Sequence, residues 1–176
     1  GHPTKELLEG EWVASTYGYP PISLETPEVL KRQEVKLNAE AKANIRDMQT
    51  FVYEKADNLF SVHTSSTTLT KEDIEPDYER SIESLIKNLE RQGAKNILTK
   101  QEEFTTISGV KGVRIYGSGS FLSPGSEDPV RGKYSIILFG GKGFQQQIML
   151  TWQDGDRYAE DIVNRILGTI DVKTEV

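Results

Sequence analysis

Tyr134-Ser135-Ile136-Ile137-Leu138-Phe139 is apolar at nearly every position, meets Gly140-Gly141-Lys142-Gly143, and continues as a second strand-like run from Phe144 to Trp152. A run this short is strand-sized, and a strand with no polar face belongs in the middle of a sheet covered on both sides. A glycine-rich segment between two such runs is a hairpin turn, so the two strands pair antiparallel. The same glycines with a lysine invite a phosphate-loop reading. That motif needs a Ser or Thr after the lysine and a helix behind it, whereas here Phe144 and a strand follow.

Working outward, Val113, Ile115, Gly117, Gly119 and Phe121 alternate onto one face of a preceding strand. Ile97 to Ile107 and a Ser108-Gly109 turn lead into it, and a polar loop from Ser123 to Gly132 leads out. Met48 to Tyr53 and Leu59 to Thr67 form another hairpin, with Ala56-Asp57-Asn58 as its turn. Trp12 to Tyr17 and Ile22 to Leu24 are short strands, the second stopped before Pro27. Leu30 to Asn44 has alanines but no apolar stripe, which predicts a loop with one turn.

Two segments carry helical spacing. Tyr78, Ile82, Leu85, Ile86 and Leu89 line one stripe between Pro76 and Gln92, with Gly93 as the stop. A closing helix from Asp154 or Asp156 to Gly168 buries Tyr158, Ile162, Val163 and Ile166, and Thr169 to Val172 adds a short last strand. Many strands, tight links and two long helices predict an α+β fold with helices packed on a largely antiparallel sheet. Residues 1–11 are expected to be a tail, tag-derived at Gly1-His2, and residues 12–176 a single domain.

With 27 acidic against 21 basic residues, a formal charge of −6 argues against nucleic acid as a partner. No cysteine is present, which excludes disulfides, thiolate catalysis and cysteine-based zinc sites. No apolar run approaches the roughly 18 residues of a membrane-spanning helix.

Chemistry is sparse. Asp154-Gly155-Asp156 with Glu160 and Asp161 is similar to part of a calcium loop, but the ligand spacing and closing glutamate do not line up. These acids read as turn and helix-start residues. A catalytic triad would have to run through His63, for which no Gly-x-Ser-x-Gly elbow supplies a nucleophile. Glu102-Glu103 and Glu127-Asp128 would point to opposite faces of a strand and share no proton. The reading therefore carries no catalytic, metal or cofactor residues.

Alternation assigns Phe60, Val62, Val113, Ile115, Ile136, Leu138, Ile148 and Leu150 to the helix-covered face. The other face then gathers His63, Arg114, Tyr116, Gln145 and Gln147, with Tyr17 and Tyr19 exposed in a turn near the sheet end. Polar and aromatic residues together make this the candidate binding face for a protein or a small ligand. The competing expectation is a solvated face, or one covered by the Leu30 to Asn44 segment.

Gly18-Tyr19-Pro20-Pro21-Ile22-Ser23-Leu24-Glu25-Thr26-Pro27 resembles the opening of PsbP-like domains. The middle helix, Ile107-Ser108-Gly109-Val110-Lys111-Gly112-Val113-Arg114, the aromatic-rich strands and a last helix running into Gly168-Thr169-Ile170 follow in the order of that family. The resemblance covers roughly residues 12–172 and implies an antiparallel sheet sandwiched by helices. The family includes the extrinsic photosystem II protein, a Ran-binding nuclear transport factor and bacterial exported proteins, often lipoproteins. It implies no shared enzymatic activity, and the histidines of the photosynthetic branch's metal sites are missing here. The expectation is a monomeric, non-enzymatic binding or assembly module of the bacterial envelope or periplasm, with any lipid anchor in a longer precursor. The alternatives are a small-molecule hydrolase or transferase using the His63 face, a structural or stress-response protein without a specific ligand, and a cytoplasmic location.

Overall fold

The hairpin of residues 134–152 lies inside the larger of two antiparallel sheets. The computed structural model describes residues 3–55, 59–122 and 127–174. In chain order these form α1 (Pro3–Glu9), β1 (Val13–Tyr17), β2 (Ile22–Thr26), β3 (Lys31–Gln33), α2 (Ala39–Asn44), β4 (Ile45–Lys55) and β5 (Phe60–Leu69). They continue as α3 (Tyr78–Arg91), β6 (Lys95–Thr105), β7 (Lys111–Leu122), β8 (Pro129–Gly141), β9 (Phe144–Gln153), α4 (Arg157–Leu167) and β10 (Asp171–Val172). The large sheet runs β3-β4-β5-β9-β8-β7-β6, and β1-β2-β10 form a small one. The fold is α+β, as the sequence predicts. The expected Ala56-Asp57-Asn58 turn lies outside the described residues, as do Gly1, His2 and residues 123–126 of the expected Ser123 to Gly132 loop. The end of that loop is corrected, since Pro129 to Gly132 already belong to β8 and pair with β7.

Every residue from Tyr134 to Phe139 is buried, as the apolar run requires of an interior strand. Register decides which face each side chain joins, because directly opposed residues on neighbouring strands share a face. Val62 opposes Leu150 and Thr64 opposes Ile148, which in turn opposes Ile137. On this face Phe60, Val62, Ile148, Leu150, Trp152, Ile137 and Phe139 form one apolar cluster with Ala159, Ile162, Val163 and Ile166 of α4 and with Ile22, Leu24, Ile170 and Val172. Ile136 instead opposes Met149 and Ile115. With Tyr134, Leu138 and Val113 these meet Tyr78, Ile82 and Leu85 of α3.

The single apolar face expected from alternation is thus corrected: Val113, Ile115, Ile136 and Leu138 lie opposite Phe60, Val62, Ile148 and Leu150. In a strand buried on both sides, hydrophobicity carries no phase. The phase comes from pairing across the Lys142-Gly143 turn.

Three further expectations change. Residues 3–9 are no tail, since α1 places Leu7 and Leu8 against the α4 cluster and buries Thr4, whose hydroxyl donates to the Asp156 carboxylate at 2.9 Å. Leu30 to Asn44 is more ordered than a loop: β3 pairs with β4, and α2 is capped by Asn38, whose side chain accepts from Ala41 N at 2.8 Å. In α4 the fully buried stripe contains Ala159 in place of Tyr158, which is half-buried. Asp156 caps that helix by accepting from Ala159 N.

Two polar devices tie the layers. Gln146 is fully buried on β9, and its Nε2 donates to the carbonyls of Pro20, Pro21 and Lys173 at 3.1–3.2 Å. Ser66 donates to the same Pro20 carbonyl at 2.9 Å, and the Tyr19–Pro20 peptide there is cis. At the other side of the large sheet, β6 is irregular between Lys95 and Leu98, with Asn96 at φ 55. The irregularity turns the Leu98 carbonyl over Gly117, where the Tyr134 hydroxyl donates to it at 2.9 Å.

Candidate functional site

The apolar residues of α3 rest over β6 to β9, and beside the helix the same face of β4 and β5 borders open space. Two lobes of about 630 and 800 Å³ result, and they share Met48, Ser65, Leu85, Asn88 and Gln147 as lining. They form one groove running along α3.

Hydroxyls make its floor. Thr50 and Ser65 hydrogen-bond to each other at 2.9 Å across the β4–β5 pair. Thr151 donates to the Leu59 carbonyl at 3.1 Å, which leaves its oxygen to accept from Ser61. These hydroxyls are locked to one another, so their part of the floor is fixed in geometry and carries no charge, while Glu54 and Lys55 line the same lobe and Lys71, Glu75, Asp77 and Arg80 the other. Val35, Ile74 and Leu122, three of the exposed large apolar residues of the molecule, lie on the groove's walls. A concave site with apolar walls and a few fixed polar groups is the usual form of a small-ligand site.

His63 sits mid-floor, its side chain 24% exposed, with Nε2 3.2 Å from Glu54 Oε1. Burial pulls its pKa below the ordinary 6.5, and the Glu54 carboxylate opposes that shift through charge and hydrogen bonding. The unfolded chain therefore takes up this proton at a higher pH than the folded one. Stability from His63 is complete above pH 6.5 and falls as the solution is acidified below it. Urea unfolding on either side of that pH should show this loss, and His63→Gln should flatten it. Glu54→Gln, which removes the partner of the imidazolium, should steepen it; an unchanged slope in both variants would contradict the assignment.

The proposed binding face does not assemble as one surface. His63, Gln145 and Gln147 share the groove face, where Gln147 lines both lobes and Gln145 accepts from the Ser81 hydroxyl at 3.2 Å. Arg114 and Tyr116 flank Ile115 on β7 and so point to the opposite face, by the register given above. There Arg114 donates to Ser135 and Glu102, both at 2.8 Å, and its guanidinium lies 4.5 Å over the Tyr116 ring. The Leu30 to Asn44 segment is at the other edge of the sheet, on β4, and does not cover them.

Tyr17 is not exposed: it is buried, its hydroxyl accepts from Leu30 N at 3.0 Å, and its ring lies 5.2 Å from Phe51. Tyr19 is 49% exposed, as expected, but stands on the turn between β1 and β2. Sequence reasoning missed Met48, Thr50, Leu85 and Asn88. The available signal was the Ser61, His63, Ser65, Thr67 alternation, a polar face with no charge on it. Glu102 and Glu103 do separate, pairing with Arg114 and Lys111. Among the described residues, no group of three or more His, Asp or Glu side chains is placed to hold a metal ion. No described helix is long and apolar enough to cross a membrane.

No protein-family model matches this chain, and no curated protein matches it.

Proposed function

We propose that this chain is a non-enzymatic binding module that holds a small, uncharged, partly apolar ligand in the groove beside α3. The observation that carries the reading is the interlocked hydroxyl floor of Thr50, Ser61, Ser65 and Thr151 beneath apolar walls. Such a floor offers hydrogen bonds without charge and loses little freedom on binding.

The scaffold we propose is a PsbP-like sandwich of helices around the large sheet. Its support is that α4 residues join the apolar cluster on one face and α3 residues the cluster on the other. Placement at a bacterial envelope rests on the resemblance of residues 18–27 and 107–114 to PsbP-like domains, a family that includes exported bacterial proteins.

The test is a neutral fragment library screened by amide chemical shifts. Hits should perturb His63, Ser65 and Gln147, and Ser65→Phe, which plugs the floor, should abolish them while leaving the fold intact. Hits clustering elsewhere, or untouched by the plug, would remove the groove from consideration.

A second reading, hydrolysis or group transfer at His63, draws on the His63–Glu54 pair, which has the form of a base and its orienting carboxylate. Against it, the flanking Ser61 and Ser65 are engaged with Thr151 and Thr50. Turnover on a broad hydrolase panel that His63→Ala abolishes would favour this reading over the binding module.

A further inference from the structure

β6 closes one side of the large sheet, paired with β7 along its inner side and with no described strand on its outer side. The opposite edge, β3, is three residues long, whereas β6 runs for 11. Unpaired N–H and C=O groups on a long edge are a template for another strand. The irregular start at Asn96 leaves Leu98 to Thr105 as the regular stretch. All of it is exposed except Phe104, and Leu98 is 63% exposed.

The charges on this edge select among partners. Leu98, Lys100, Glu102 and Phe104 share one face, opposite Ser118, Tyr116, Arg114 and Gly112 of β7. Thr99, Gln101, Glu103 and Thr105 share the other. When such a strand pairs with its own copy about a two-fold axis, the axis must pass through one residue so that faces agree. An axis at Lys100 opposes two ammonium groups, and one at Glu102 or Glu103 opposes two carboxylates. At Thr99 it sets the apolar Leu98 against Lys100. At Gln101 alone, Lys100 opposes Glu102 twice and Leu98 opposes Phe104 twice, while Thr99 opposes Glu103 on the other face.

We propose that β6 pairs antiparallel with β6 of a second copy about Gln101, joining two large sheets into one continuous sheet. Glu102 is already held by Arg114 at 2.8 Å, so its carboxylate is oriented on the face where Lys100 of the partner subunit would arrive. Charged residues on an edge normally block pairing; here they oppose the registers centred on Lys100, Glu102 and Glu103 and neutralise one another in this one. The Leu98 and Phe104 pairs cover the exposed apolar surface. This replaces the expectation of a monomer, and it is independent of the groove.

The test is sedimentation velocity of the full chain across a concentration series. The wild type should show a reversible dimer. Lys100→Glu and Glu102→Lys each place like charges in register and should weaken it about tenfold or more. Mixing those two variants restores opposite charges at both positions and should give a heterodimer, with circular dichroism showing all three proteins folded. A wild type that stays monomeric at every concentration overturns the proposal. So does a dimer indifferent to both substitutions, or a mixture that does not associate.

Discussion

Ile162→Asp should leave no cooperative unfolding transition. Ile162 is fully buried in α4, within the cluster that contains Ile137, Ile148 and Leu150 of the large sheet and Ile22 of the small one. An aspartate there has neither water nor a partner, and the cost of about 5 kcal/mol or more approaches the whole stability of an ordinary domain. Circular dichroism in a urea series should find the variant unfolded, or folded only with the carboxyl protonated at low pH. Leu85→Asp is the control. Leu85 is half-buried and lines the groove, so its aspartate reaches water and costs about 2 kcal/mol or less. Equal losses in the two variants would contradict the assignment of α4 to the deep cluster and α3 to the groove wall.

Gly117→Ala should be the most damaging single-methyl addition on β7. A Cβ at Gly117 would meet the Leu98 carbonyl oxygen and lie 3.2 Å from the Tyr134 hydroxyl that donates to it. Neither the rigid Leu98 backbone nor the buried Tyr134 can yield cheaply, so the expected cost is about 3 kcal/mol. Gly119 on the same strand has nothing closer than 3.4 Å to a Cβ, and Gly119→Ala should cost about 1 kcal/mol or less. Amide exchange should locate the loss at Gly117 in β6, with faster exchange from Leu98 to Thr105 and little change in β4 or β5. Matching losses at both glycines would mean that the close approach of Leu98 is not what the sequence maintains.

Local signals were legible where local physics acts. The Gly140-Gly141-Lys142-Gly143 turn, the interior run of Tyr134 to Phe139, the stripe of α3 and the start of α4 at Asp156 follow from turn chemistry, periodicity and capping. What distant pairing sets was not legible. Arg114 and Tyr116 were grouped with His63 because phase cannot be carried through an all-apolar strand. Tyr17 in a Tyr-Gly-Tyr-Pro-Pro turn reads as exposed; the Leu30 amide, which its hydroxyl serves, is visible only after β2 has folded back. The groove is a place where a helix stops short of covering the sheet, and no single segment encodes that. Its polar floor was half visible, as the alternation around His63.

Ser23 and Ile22 pair with Asp171 and Val172, and Gln146 grips Pro20, Pro21 and Lys173 at once. In a chain made on the ribosome from its amino end, β2 emerges before β3 to α4, and its β10 neighbour only after them. Until then β2 has only β1 beside it, and a two-stranded hairpin is marginal in water until the large sheet and α4 are there to cover Ile22 and Leu24. The fold therefore cannot be completed piece by piece during synthesis. It waits for a late strand, in the slow regime of distant contacts, and the nascent chain presents apolar surface to chaperones for as long as that clasp is missing.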